Sequence, residues 1–182
     1  GLPALPDEAR GAFVGADLLG VRRLIVGTPT ALFQAGTAAW TDVSAEPYAL
    51  GQDDRWSMAQ FGNATLAATP TYDIQRYASG TFAAITDAPR AKILVSVKAF
   101  VLAFDTTDPT YGDSPDRWWC CAYMDETDWT PNVATQCTTG RLVESGGRFT
   151  AAARFGDDVV AYKRNAMWLG RYVGAPSVWD FL

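Results

Sequence analysis

Residues 56–68, which read WSMAQFGNATLAA, decide the fold of this chain. Two short apolar runs, 56–61 and 64–68, lie on either side of the dipeptide Gly62-Asn63. Glycine and asparagine tolerate positive φ angles, and a pair of them between apolar runs favours a two-residue hairpin loop. The segment therefore predicts two antiparallel strands joined by a tight turn.

Hairpins of the same kind are predicted on both sides of this segment. The paired runs are 24–27 with 31–34, 93–97 with 99–104, and 149–155 with 159–162. Several of these runs are almost continuously apolar, which is typical of strands that are covered on both faces. The sequence therefore favours β-structure along nearly its whole length.

An aromatic residue opens a short strand-like segment at a recurring interval. These residues are Trp40, Phe82, Trp129 and Trp179, separated by 42, 47 and 50 residues. Blades of β-propellers repeat every 40–50 residues or so. We therefore predict an all-β, β-propeller-like fold of repeated four-stranded antiparallel blades, with a β-sandwich as the alternative.

The repeat divides the chain into an extended lead-in and one propeller-like domain. The lead-in covers residues 1–20 and the domain covers 21–182, with repeat units at approximately 21–50, 51–88, 89–132 and 133–182. Residues 105–117 contain two prolines, one glycine and four aspartates, which predicts a surface loop. The chain starts without methionine and ends just after an apolar run, so we expect it to be an incomplete segment of a longer polypeptide.

Composition restricts the chemistry that the chain can perform. The 182 residues include no histidine, which excludes Ser-His-Asp and Cys-His catalytic groups and histidine-ligated metals. A net charge of −5 opposes tight binding to a nucleic acid backbone, which requires clustered Lys and Arg. Cys120, Cys121 and Cys137 are odd in number and two of them are adjacent, so we expect buried reduced thiols.

Acidic clusters are the strongest candidates for a reactive site. They are Asp105 with Asp108, Asp113 with Asp116, Asp125-Glu126 with Asp128, and Asp157-Asp158. Paired carboxylates serve glycoside hydrolysis or bind a hard cation, but aspartate more often caps turns. We therefore expect no catalytic residue, no cofactor and no metal, and we treat Asp113, Asp116 and Asp125 as residues of interaction loops.

Two further groups of residues have alternative interpretations. Lys163 and Arg164 fall between two predicted strands, where a cationic loop would contact a partner protein. Trp118, Trp119, Trp129 and Trp168 would stack on sugars if exposed, but their positions in predicted strands favour packing between blades.

From Gly62 to Phe181, about two thirds of the chain, the sequence resembles tail hub or nozzle proteins of short-tailed bacteriophages, including tail-tube and packaged-DNA stabilisation proteins in the broad sense. The matching elements are Gly62-Asn63 with 64–68, Ala88-Pro89-Arg90-Ala91, residues 157–163, residues 170–174 and Trp179-Asp180-Phe181.

The resemblance implies a structural virion protein and not an enzyme. It implies a homo-oligomeric ring, usually hexameric, that lies below the portal and adaptor of the phage tail and contacts other tail proteins. The genome DNA would pass through its channel without specific binding, assembly would take place in the host cytoplasm, and no membrane insertion is expected. A carbohydrate-binding or carbohydrate-hydrolysing β-propeller is the alternative function.

Overall fold

The computed structural model describes residues 1–182 and consists of β-strands and their connections. Sixteen strands form four separate sheets, each containing four antiparallel strands. This arrangement confirms the predicted all-β fold of repeated four-stranded sheets and differs from the two facing sheets of a sandwich. The chain contains no helical segment with the length and hydrophobicity needed to span a lipid bilayer.

Each sheet is built from four strands that follow one another in sequence. Sheet 1 contains β1 (Gly11–Ala16), β2 (Arg22–Gly27), β3 (Leu32–Ala35) and β4 (Trp40–Asp42). Sheet 2 contains β5 (Ser57–Phe61), β6 (Ala64–Ala68), β7 (Gln75–Tyr77) and β8 (Ala83–Ala84). Sheet 3 contains β9 (Arg90–Val97), β10 (Phe100–Asp108), β11 (Gly112–Cys120) and β12 (Thr138–Arg141). Sheet 4 contains β13 (Phe149–Phe155), β14 (Asp158–Lys163), β15 (Ala166–Gly174) and β16 (Val178–Phe181).

The first strand of every sheet lies at the sheet's edge, and these four strands pack in succession. Strand β1 packs against β5, β5 against β9, and β9 against β13. The sheets therefore follow one another in an arc, in the order 1-2-3-4, as blades do in a propeller. The arc is not closed into a ring.

A tryptophan joins sheet 1 to sheet 2. Trp56 is 5% exposed, and its indole Nε1 donates a hydrogen bond to the Thr28 carbonyl at 2.9 Å. The backbone N–H of Trp56 donates to the Arg10 carbonyl, also at 2.9 Å. The indole ring lies directly on Gly27, where an added Cβ atom would overlap it. Close approach of the two sheets therefore depends on the absence of a side chain at Gly27.

Aromatic rings join sheet 3 to sheet 4. The ring centroids of Phe104 and Phe149 are 5.0 Å apart in an edge-to-face arrangement, and those of Trp118 and Phe181 are also 5.0 Å apart. A core of 26 buried residues runs through sheets 2, 3 and 4, and a smaller core of 8 residues joins sheets 1 and 2. Sheet 3, with the longest strands, is thus buried on both faces.

The predicted lead-in 1–20 is wrong after residue 10, because strand β1 begins at Gly11. This strand contains two glycines in six residues, a residue type that is depleted in strands. The structure explains them: a Cβ at Gly11 would meet the Trp56 carbonyl at 2.6 Å, and one at Gly15 would overlap the Gln60 side chain. Both glycines allow sheet 2 to approach.

The last strand of sheet 3 also differs from the prediction. Trp129 does not open a strand but lies in the connection before β12, where it is 1% exposed. The actual fourth strand, Thr138–Arg141, has no aromatic residue, so the aromatic pattern missed it. As a result, sheet 3 extends beyond the predicted unit boundary at residue 132.

Residues 105–117 are not a surface loop but most of a long hairpin formed by β10 and β11. Phe104 pairs with Trp118 and Thr106 with Ser114, so three residues of β11 face the single residue Asp105. Pro115 lies in this bulge, where its missing N–H breaks no ladder hydrogen bond. The prolines and aspartates were therefore compatible with strands.

We expect Gly27→Ala to destabilise the fold, because the new methyl group would displace Trp56. Overpacking of this kind costs roughly 1–3 kcal/mol in the free energy of unfolding. Gly146→Ala is the matched control, since no atom lies within 4 Å of a Cβ at that position. Equal denaturation midpoints for the two variants in guanidinium would contradict this role of Gly27.

Candidate functional site

The turns of the first hairpins lie along one edge of the row of sheets. The backbone N–H of Leu18 donates to Asn63 Oδ1 at 3.1 Å, which links the turns of sheets 1 and 2. The Lys98 ammonium lies 2.9 Å from Asp157 Oδ2, which links the turns of sheets 3 and 4. The salt bridge lowers the pKa of Asp157 from its ordinary value. We call this edge of the sheets the turn end.

The largest cavity lies at the turn end and has a volume of about 510 Å³. Leu18, Phe61, Arg76, Lys98, Met124 and Glu126 are among the residues that line it. Arg76 and Glu126 form a salt bridge of 2.8 Å, and Lys98 is paired with Asp157. Both cations of the cavity are therefore neutralised by carboxylates.

A shallow groove of about 280 Å³ follows the first strands of all four sheets. Its lining includes Phe13, Met58, Leu94 and Ala152, and Arg154 is its one charged residue. None of the four first strands contains an aspartate or a glutamate. The chain's acidic residues therefore lie elsewhere, chiefly in turns and on later strands.

The outer face of sheet 4, which points away from sheet 3, is uncovered. It is apolar over most of β13 and β14 and the first half of β15, and it carries the ion pair of Asp158 with Arg171 at its turn end. Strand pairing brings two rows of side chains together on this face, which we call the fourth-sheet face: Ala153, Val160 and Leu169 in one row, and Ala151, Tyr162 and Met167 in the other. Tyr162 is 40% exposed and Met167 is 64% exposed, and Phe155 beside them is 68% exposed.

The outer face of sheet 1, at the other end of the arc, is also apolar. Gly11 and Gly15 point towards sheet 2, so the alternate residues Ala12, Val14 and Ala16 point outwards. All three are exposed, and Val14 is 63% exposed. Ala12, Val14 and Ala16 form what we call the first-sheet face; of their partners on β2, Val26 is 6% exposed and Arg22 is an exposed cation. The two ends of the arc thus present apolar surfaces.

The aspartates predicted for interaction loops have separate local roles. Asp113 is exposed and accepts a long hydrogen bond of 3.4 Å from Thr107 Oγ1. Asp116 accepts two hydrogen bonds from the Arg141 guanidinium, at 3.0 and 2.8 Å, which lower its pKa. Asp125 caps a turn through Thr127, whose hydroxyl and N–H lower the pKa of the carboxyl group. The structure confirms turn capping for Asp125 and places Asp116 in an ion pair.

Lys163 lies at the end of strand β14 and not in the predicted loop. It is 4% exposed, and its ammonium donates to the carbonyls of Leu142 and Ser145, the second at 2.8 Å. Burial lowers its pKa. The alternation of β14 explains its position, since Val159, Ala161 and Lys163 all point inwards. Lys163 therefore fastens the connection between sheets 3 and 4, whereas Arg164 occupies an exposed turn as predicted.

An ion pair between a buried aspartate and a half-exposed arginine, which the sequence did not reveal, joins strand β10 to the connection before β13. Asp105 is 4% exposed and accepts hydrogen bonds of 2.7 and 3.2 Å from the Arg148 guanidinium. The pairing raises the pKa of Arg148. A single aspartate at the end of the apolar run 99–104 was the available signal. Its partner Arg148 lies 43 residues away in sequence, and local sequence patterns do not pair residues so far apart.

The tryptophans and cysteines behave as core residues. Trp118, Trp119 and Trp129 are 5%, 6% and 1% exposed, which confirms packing for these three. Trp168 is half-buried, and its Nε1 donates to Ser145 Oγ at 3.1 Å. The three cysteines are buried free thiols, as the sequence predicted. Trp118, Trp119 and Trp129 therefore offer no open ring face.

Comparisons with known proteins bear on the fold alone. No protein-family model and no curated protein matches this chain. Among solved structures, the chain is similar to a computationally designed protein named Ika4, with a TM-score of 0.56 and 8% sequence identity. The similarity covers 93% of this chain and 94% of the designed chain. At this level of identity it supports the arrangement of the sheets.

The three thiols are expected to resist modification in the folded protein. Burial raises the pKa of Cys120 to about 12 and also raises the pKa values of Cys121 and Cys137. Because the thiolate is the reactive form, an aromatic disulfide reagent at about pH 8 should label none of them until denaturant is added. Rapid release of the coloured thiol from native protein would contradict this.

We expect Asp116→Asn to lower the free energy of unfolding by roughly 0.5–1 kcal/mol at neutral pH, because the partner Arg141 is half exposed. The pKa of Asp116 is lower in the folded state, so its contribution is present above its unfolded pKa of about 3.9 and is lost as the pH falls through the folded value. The difference from the unmodified chain should therefore shrink in acid. Asp113→Asn is the control, and a pH-independent difference would contradict the ion-pair origin.

Proposed function

We propose that this chain is a structural subunit that assembles with copies of itself into a ring, as tail hub or nozzle proteins of short-tailed phages do. In this proposal the ring belongs to a virion, contacts adaptor, portal and other tail proteins, and lets the genome pass. The resemblance implies six copies, but the proposal itself requires only a closed ring of identical chains.

The carrying observation is the open arc with an apolar surface at each end. Exposed contiguous apolar surfaces on proteins mark sites of protein interaction. Here the fourth-sheet face combines Phe155, Tyr162 and Met167, each at least 40% exposed, on a rigid sheet. Burying apolar surface stabilises a protein by roughly 25 cal/mol for each Å². A partner that covers these side chains would therefore contribute to binding.

The net charge of the chain opposes adhesion to DNA, although the first strands themselves carry Arg90, Lys92 and Arg154 and no carboxylate. Nine of the fifteen lysines and arginines form salt bridges with carboxylates. The chain thus has few free cations with which to hold phosphates, and its net charge of −5 repels them. Weak adhesion is what a conduit for a genome requires.

The carbohydrate-binding alternative has less support from the geometry. Sugar binding uses exposed aromatic faces, whereas Trp118, Trp119 and Trp129 are each at most 6% exposed. Asp116, a candidate carboxylate for glycoside hydrolysis, is engaged by both donors of Arg141. A sugar site would require these groups to leave their present partners.

The proposal predicts ring-shaped particles of two or more copies in electron micrographs and a multiple of the chain mass in light scattering. It also predicts no retention of double-stranded DNA at about 150 mM salt. A protein that stays monomeric at all concentrations would contradict the proposal. Binding or hydrolysis of glycans that disappears in Asp116→Asn would favour the alternative.

A further inference from the structure

The two apolar ends of the arc are related to the sheet contacts inside the chain. Sheet 4 covers one face of sheet 3, where Phe104 of β10 and Trp118 of β11 receive Phe149 and Phe181. Strands β10 and β11 are the second and third strands of their sheet. The second and third strands of a sheet therefore provide the surface on which the next sheet packs.

Sheet 4 presents an equivalent surface with no sheet on it. Its second and third strands bring together Val160, Tyr162, Met167 and Leu169 on the fourth-sheet face. Tyr162 and Met167 pair directly across the two strands, as Phe104 and Trp118 do in sheet 3. The exposed surface of sheet 4 therefore corresponds to the surface of sheet 3 on which sheet 4 packs, and another first strand could pack on it.

The first-sheet face is the surface of this chain that is placed to follow a preceding sheet. Its row on β1 is exposed, whereas on the same side of sheet 1 the lead-in contacts β4, where Trp40 Nε1 donates to the Pro3 carbonyl at 2.9 Å. Strands β5, β9 and β13 each pack against the sheet before them. Strand β1 has no sheet before it, and its outward residues Ala12, Val14 and Ala16 are exposed. These small side chains would allow a close approach, as Ala and Gly do at close contacts between elements.

The number of sheets determines how many copies are needed. Propellers contain typically 4–8 blades. One chain supplies four sheets, which do not close by themselves. Eight is the next multiple of four and the last one within that range. Resting on the proposed function as a ring subunit, we propose that two copies of this chain close one eight-sheet ring, with the fourth-sheet face of each on the first-sheet face of the other.

With two-fold symmetry, every exposed end face of the two chains is covered by a face of the other chain. The contact between the two faces is heterologous, because unlike surfaces meet, but two copies related by a two-fold axis make it twice and leave no end open. At the turn end of the fourth-sheet face Asp158 is paired with Arg171 at 3.4 Å, whereas the exposed Arg22 at the turn end of the first-sheet face has no carboxylate partner in the chain.

The test measures the mass of the whole chain in solution by light scattering and sedimentation. We expect two chains per particle. Met167→Lys on the fourth-sheet face and Val14→Lys on the first-sheet face should each raise the dissociation constant by about tenfold or more, because a charge would be buried at an apolar contact. Both residues are more than 60% exposed, so the monomer fold should persist, which circular dichroism verifies.

Mixing the two variants distinguishes this contact from other dimers. A Met167→Lys chain keeps its first-sheet face and a Val14→Lys chain keeps its fourth-sheet face, so a mixed pair contains one intact contact. The mixture should therefore associate more tightly than either variant alone. A dimer formed through two fourth-sheet faces would be insensitive to Val14→Lys and would show no such rescue, which would overturn the proposal.

Val133→Lys is the matched control, because Val133 is 63% exposed but lies in the connection between β11 and β12. It should leave the two-chain mass unchanged, and loss of the dimer in this variant would contradict the assignment to the sheet faces. Particles of any other number of copies would overturn the two-chain ring and leave the proposed function intact. A monomer at every concentration would overturn both.

Discussion

Packing of side chains between neighbouring sheets is the constraint on which the rest of this structure depends. Hydrogen-bond ladders hold each four-stranded sheet together, but they end at the sheet's edges. A single sheet of this size cannot bury its own apolar faces, so each repeat requires a neighbour. Gly27 beneath Trp56 and the ring pair Phe104 and Phe149 show how closely successive sheets approach. Where this packing stops, at sheets 1 and 4, apolar surface remains exposed.

The same constraint explains why the polar residues contribute to architecture. Asp105 and Arg148 join sheets 3 and 4 across a bulge, and the buried Lys163 ties the connection between them to two carbonyl oxygens. Charges inside a protein must be paired or hydrogen-bonded, and these groups satisfy one another. The aspartates that the sequence predicted for interaction loops instead contact neighbouring residues of the chain, as Asp116 does in its ion pair with Arg141 and Asp125 in its turn. The surfaces left for function are the apolar ends of the arc.

Most of the local structure was predictable from the sequence, because hairpins are specified by short-range chemistry. The turn at Gly62-Asn63 has a positive φ of 53° at the glycine, and the turn at Lys98 also has a positive φ. The errors occurred where a distant contact overrides local preference. Glycines in β1 are explained by the approach of sheet 2, and Pro115 is tolerated because a bulge frees it from the ladder.

The sequence by itself determined that the chain forms repeated antiparallel hairpins, that its thiols are buried and that histidine chemistry is excluded. These properties follow from turn residues, apolar alternation and composition, which act over a few residues. Only the tertiary structure decided which face of each sheet is covered, that Lys163 is buried, and that Tyr162 and Met167 remain exposed. Those outcomes depend on how one sheet packs on the next. The contacts between sheets join residues that are far apart in the chain, and local sequence patterns do not show which distant residues meet.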